Sequence, residues 1–512
     1  MFGLNRRIIT LILIFIILIF IPILPILVSI NQNYSEDTNI HYPEPIKNNL
    51  IKNEIRDDNL NQLKTRAPAI NLIIYRNHSR EFNNDRSVNN VTIRDDATLI
   101  IKDCEFWIKG TLQVMDNGRL FVLNSTLHIA PGPVDMHQIV VNFSDNAHIK
   151  ISDSQLFTHP QSNSTPTNIS YLLSDANSEV TIINSYLNIK LPKIVDLDID
   201  LTPPTAGTFI LAGETIWNIQ NCTIESYLYY ENGQLIGRWF VFTLQGRAKL
   251  YIKDTVGSLE NSETNPFIKP VAGYVRLENT KIRMGVIDNE VIGEIEAINL
   301  TISYLNLRDQ TKTKVLRSEI VYNVDLGGVA IYSPTAVEGS EKPKATLLME
   351  DSVIGTVKDP NESDGIFFAM GNSTSTIKRC TFNQGVFQAE AKINIINCSI
   401  NQFIEGSDNG QIIVENSSVE KVFLGENCKL MIHSNLENPP ISTLSTKFNS
   451  KSEIIANSVK IKTLEVWPGD NIPPKLLWGE VGCGKCKTLL QRIDKTICCY
   501  RQTHILGEFS NN

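Results

Sequence analysis

The chain has 512 residues, 42% hydrophobic and 20% charged, with a formal net charge of −8 and a pI near 5.6. This balance of apolar and charged residues suits a folded protein and argues against a disordered one. The acidic balance, with no basic stripe in the body of the sequence, excludes nucleic acid as a partner.

Residues 8–30 (IITLILIFIILIFIPILPILVSI) carry no charge and follow Arg6 and Arg7. An apolar run of this length can cross a bilayer as a helix, and the flanking arginines place the N-terminus in the cytoplasm and everything after it outside. Segment 1–30 is read as an uncleaved signal anchor, with a cleaved signal peptide as the alternative. Its one passable cleavage position, near Ser29, has the bulky Leu27 in front of it. The expected location is the cell membrane with the bulk of the chain extracellular, or secretion if the segment is cleaved. Residues 31–90 are rich in Asn, Asp and charged residues and read as a polar spacer.

From about residue 95 to about residue 420, within a repeat region read as 91–465, a short phrase recurs: apolar–x–apolar–x–Asn/Asp–small–x–apolar. Copies include LIIKDCEF (99–106), LFVLNSTL (120–127), IKISDSQL (149–156), VTIINSYL (180–187), VRLENTKI (275–282), LLMEDSVI (347–354), INIINCSI (393–400) and IIVENSSV (412–419). The period of two in its first half is a short strand with one buried face. The Asn or Asp that follows tolerates the left-handed backbone region, so it turns the chain through a tight corner without interrupting the apolar face. This corner column runs Asp103, Asn124, Asp153, Asn184, Asn221, Asp254, Asn279, Asn299, Asp351, Arg379, Asn397, Asn416. Its shortest steps are 18 to 21 residues and its longest runs from Asn299 to Asp351.

A minimum step of that size with occasional long excursions suits coils of a parallel solenoid that stack to bury a common core. The repeat resembles the right-handed parallel β-helix family, the fold also used by pectate lyases. The expected fold class is therefore all-β, a right-handed parallel β-helix preceded by one N-terminal transmembrane helix. Long excursions are expected at 188–212 and 303–345, where function would concentrate. Residues 466–512 leave the pattern and read as a C-terminal cap or cysteine-rich tail.

Asp196, Asp198 and Asp200 in IVDLDIDL share one face of a strand by alternation, where their oxygens could take calcium. The competing reading is a strand with its acids in water. No cofactor is required by the sequence, and calcium is the one this strand would accept. Cys104, Cys222, Cys380 and Cys398 fall in the small-residue column after the corner, and Cys428 follows a second type of turn; all five read as buried small residues. A disulfide between Cys380 and Cys398, in successive copies, is the reactive alternative. Cys483, Cys486, Cys498 and Cys499 stand apart, with disulfides, free thiols and a metal site as the alternatives.

Export would expose N-x-S/T sites to glycosylation. Sites at corner residues such as Asn124 and Asn221 are read as structural. Asn33, Asn77, Asn90, Asn142, Asn163, Asn168, Asn361 and Asn372 are the better candidates. His128, His137, His148 and His159 fall in consecutive coils and read as ordinary loop or edge histidines. Glu278 and Glu296 are the nearest outward carboxylates, and they sit at different columns. There is no phosphate loop, nucleophile elbow or H-E-x-x-H motif.

The expected function is that of a membrane-anchored surface protein with a structural, adhesive or glycan-contacting role, with polysaccharide or surface proteins as partners. A polysaccharide lyase or glycoside hydrolase of the β-helix fold is the alternative. It rests on fold analogy alone.

Overall fold

The computed structural model describes residues 70–483 except 131–138, 159–171, 191–206, 228–229, 232–233, 236–239, 261–265, 284–285, 290, 322–327, 334–343, 356–364, 426, 434–440, 448–452, 458, 468–474 and 479–480. The described residues contain strands and turns and no helix. Each coil lays down three strands, and each strand pairs in parallel with its counterpart one coil away. Val91–Ile93, Thr98–Lys102 and Glu105–Ile108 form one such coil, stacked on Leu112–Val114, Arg119–Leu123 and Thr126–Ile129. The result is a right-handed parallel β-helix.

The corner between the second and third faces is the Asn/Asp column. All twelve of its residues have φ between 45° and 55°. The small residue after it is held by two bonds. Ser154 Oγ donates to its own coil's Ser152 O (2.7 Å) and accepts the Ser125 amide of the previous coil (3.1 Å). Ser185 repeats both contacts (2.7 and 3.2 Å). The corner between the first and second faces is a second left-handed column that the repeat phrase does not reveal: Asp95, Asp116, Asp145, Ala176, Gly213 and Gly246. Here each carboxylate accepts an amide from the coil before, Asp116 from Asp95 N (3.1 Å) and Asp145 from Asp116 N (3.2 Å).

The core is one continuous apolar column from Leu72 to Ile432. Its middle holds a ring stack in which Phe242 lies 5.6 Å from Phe209, 5.8 Å from Phe267 and 6.2 Å from Trp217. The Trp217 indole N–H donates to buried Ser174 Oγ at 3.0 Å, which removes the cost of an unpaired donor.

Three expectations are corrected. Strands begin at Leu72, inside the segment read as spacer, because the first coil carries SREF and RSV in place of the apolar phrase. Strands also continue past residue 465, through Lys475–Trp478 and Val481–Cys483. The stretch 303–345 is not a single excursion. It contains a coil with strands Tyr304–Arg308 and Lys312–Leu316 and a corner at Arg317, φ 49°.

Candidate functional site

The third corner, between the third face of one coil and the first face of the next, sets the irregular spacing. The chain between Ile129 and Val141, Thr158 and Leu172, Lys190 and Gly207, Tyr227 and Phe240, and Glu260 and Pro266 is longer than the short link between Ile108 and Leu112. In two later coils the third and first faces fuse into one long strand, Thr381–Gln388 and Ser399–Gly406, and register shifts mark the old corner.

The outward side chains of the third face form an aromatic strip along the solenoid axis. Trp107, His128 and Phe157 occupy one register column. His128 is sandwiched, 3.8 Å from Trp107 and 5.1 Å from Phe157, with both pairs nearly parallel. Tyr186 meets Phe157 edge-on at 5.8 Å. Polar groups flank the rings. Glu105 Oε1 accepts the Trp107 indole N–H (2.8 Å) and lies 3.1 Å from His128 Nε2. The His128 contact, followed by the indole bond, holds the Glu105 carboxyl below its usual range against the opposing effect of burial. Further along, the Tyr186 hydroxyl donates to Glu225 Oε2 (2.5 Å) and accepts from Asn188 Nδ2 (3.0 Å). Trp107 and His128 are buried, while Phe157, Tyr186 and Glu225 are half-exposed. His128 is thus a buried strand residue, not the loop or edge residue expected. His148 lies on a different face, 3.5 Å from Glu179. His137 and His159 lie outside the described residues.

The second face carries the other constellation. Arg276 contacts both Glu278 (3.5 Å) and Glu296 (3.2 Å), so it joins the two carboxylates that the sequence placed at different columns. Lys253 adds a 3.0 Å contact to Glu278, and Lys314 a 3.2 Å contact to Glu296. The Tyr274 hydroxyl donates to Glu296 (2.9 Å), and its ring lies 5.9 Å from Tyr251. The Lys253 bond holds Glu278 below the usual carboxylate range, and the Tyr274 bond does the same for Glu296.

Glycoside hydrolysis needs one carboxyl raised to act as acid, about 5–9.5 Å from a second. Glu105 and Glu225 lie four coils apart, roughly 19 Å at the strand spacing. The Lys253 bond lowers Glu278 and the Tyr274 bond lowers Glu296, so neither is the raised acid. Asp175, which burial and the neighbouring Asp145 charge raise, sits at a turn of the second left-handed column. Neither constellation supplies the acid–base pair. Among the described residues, no three His, Cys, Asp or Glu gather as a metal site.

Asp196, Asp198 and Asp200 lie outside the described residues. Cys483 ends a strand paired with Val459–Ile461, and Cys486, Cys498 and Cys499 lie outside the described residues. Cys104, Cys222, Cys380, Cys398 and Cys428 are buried free thiols. Cys380 and Cys398 stack without a disulfide: the Cys380 amide donates to Cys398 Sγ (3.4 Å), the role Ser Oγ plays elsewhere. Among the glycosylation candidates, Asn77 is exposed in a turn. The Asn90 side chain is engaged with Asn71 and Thr111, the Asn142 carbonyl is buried, and Asn372 is half-exposed. Asn33, Asn163, Asn168 and Asn361 lie outside the described residues. No family model, curated protein or solved structure matches this chain.

Proposed function

We propose that the protein is an exported surface scaffold, anchored in the membrane by residues 8–30, that contacts glycan along its third face without cleaving it. One observation carries this reading: half-exposed Phe157 and Tyr186 continue an aromatic strip along the third face, with the polar Glu225 and Asn188 beside them. Sugar rings offer C–H faces to aromatic rings, and their hydroxyls pair with groups such as Glu225 and Asn188. The apolar run behind Arg6 and Arg7 supports the anchor.

The test uses the full-length chain in detergent with a panel of acidic and neutral polysaccharides, in calcium or in chelator. Retention on a polysaccharide without new reducing ends, weakened by Tyr186→Ala, is the expected result. Release of reducing ends would overturn the scaffold reading in favour of a lyase or hydrolase. Loss of the chain from membranes on alkaline carbonate washing would overturn the anchor.

A further inference from the structure

Asn188 sits in the third-face column between Phe157 and Glu225, in register with both. It alternates with the core residues Leu187 and Ile189, so it belongs to the outward side of the sheet, yet it is only 8% exposed. Its Nδ2 donates to the Tyr186 hydroxyl (3.0 Å), and that hydroxyl donates to Glu225 Oε2 (2.5 Å). Asn188 Oδ1 is buried and has no hydrogen-bond partner.

The direction of this relay follows from its last member. A carboxylate accepts hydrogen bonds and cannot donate them. The Tyr186 hydroxyl has one proton, and spending it on Glu225 leaves only lone pairs for Asn188. The amide must then turn its nitrogen to Tyr186, and its oxygen is left over. Glu225 therefore decides, through Tyr186, which end of a buried amide is open. A buried acceptor with no partner is unfavourable, and only a donor relieves it. The half-exposed members of the relay, Tyr186 and Glu225, also turn acceptor oxygens to a ligand.

We infer that this part of the strip admits glycan groups able to donate a hydrogen bond and rejects carboxylates, so that it selects neutral polysaccharide over uronate-bearing polysaccharide. A sugar hydroxyl supplies the donor. A uronate carboxylate meets like charge at Glu225 and a second acceptor at Asn188. The inference rests on the glycan-contact reading given above. Within it, Tyr186 is a positioning residue that passes the polarity of Glu225 to Asn188.

The experiment measures retention of the full-length chain in detergent on immobilised glucan, mannan and galactan, each native and oxidised at C6. Oxidation puts a carboxylate on the same backbone. High salt screens the general repulsion between an acidic polymer and a chain of net charge −8. The native form of whichever polymer binds should be held several-fold more tightly than its oxidised form. Glu225→Gln can donate to Tyr186, which lets the relay reverse and leaves Asn188 Nδ2 as the open end, so this variant should hold both forms about equally. Tyr186→Phe keeps the ring and cuts the relay, and it should also narrow the difference. Glu415→Gln removes the same charge from the second face and should leave the difference unchanged. A wild-type chain that holds oxidised polymer as tightly as native would overturn the inference, and so would a Glu225→Gln variant that still rejects it. Oxidised polymer held by the wild-type chain and released by Lys190→Gln, at the end of the Asn188 strand, would overturn it in favour of a cation-led site. Retention on no polymer defeats the glycan reading and this inference with it, whereas equal retention of both forms defeats the inference alone.

Discussion

The side-chain amide of Asn124 donates to Asp103 Oδ1 across one coil, at 2.7 Å, while both residues hold positive φ. The contact recurs from Asn184 to Asp153 (3.0 Å), Asn221 to Asn184 (2.8 Å), Asn279 to Asp254 (2.8 Å) and Asn299 to Asn279 (3.0 Å). One residue type thus does two things at this corner. It accepts the left-handed backbone, and it links neighbouring coils. Arg379 breaks the pattern and keeps the link, through Nε and an Nη donating to the two oxygens of Asp351 at 2.5 and 2.9 Å.

Asn279→Ala loses both contributions and should destabilise the solenoid by about 1–3 kcal/mol. Asn279→Gly restores the backbone freedom and loses only the bonds, so it should cost about 1 kcal/mol. Urea midpoints followed by circular dichroism compare the two variants. An alanine variant no weaker than the glycine variant would refute the backbone argument.

The same ladder predicts where glycan attaches. The side-chain nitrogens of Asn124, Asn221 and Asn299 are donors in it, whereas Asn77 is exposed. Expression in a glycosylating host followed by peptide mass spectrometry should find glycan on Asn77 and none on those three.

Burial pushes the Cys222 thiol up to about 11 and the Cys428 thiol up to about 12. Both stay protonated at neutral pH, and the thiolate is the reactive form. Native protein at pH 8 should leave these two unmodified by a maleimide until denaturant is added. Cys398→Ser keeps an acceptor for the Cys380 amide and should change stability by less than about 1 kcal/mol. Cys398→Val strands that amide and should cost about 1–3 kcal/mol.

On the second face, the folded-state pKa values of Glu278 and Glu296 lie below their ordinary value. Their stabilising contribution is therefore complete above that ordinary value and is lost as pH falls through the lower, folded value. The unfolding midpoint should drop as pH falls below about 4. Arg276→Gln, which removes a contact to both carboxylates, should flatten that drop. An acid limb identical to wild type would show that the network does not contribute.

His128 fills the space between two rings. His128→Ala should cost about 2–4 kcal/mol and shift the Trp107 emission as the indole loses its stacked neighbour. His128→Phe, which preserves a flat ring there, should recover most of the stability. Full stability in the alanine variant would mean that the stack is incidental.

The Asn/Asp corner was legible in the sequence because left-handed backbone is a local demand that few residue types meet. Each copy announces itself without reference to its neighbours. The buried cysteines were legible for a related reason, since they share a column with Ser and Thr that admits only small side chains. The second corner shows in the sequence only as a recurring Asp-Asn pair, because Asp, Ala and Gly share it and no single type marks it.

What the tertiary structure alone decided is which residues meet across coils. Partners such as Trp107, His128 and Phe157 are separated by 21 and 29 residues, intervals set by whatever is inserted at the third corner. Sequence distance therefore does not reveal that they stack. The arginines of the first coil carry the same lesson. Nothing in SREF or RSV says that Arg80 and Arg86 stand at the end of core columns, because that position exists only once the coils above them are in register.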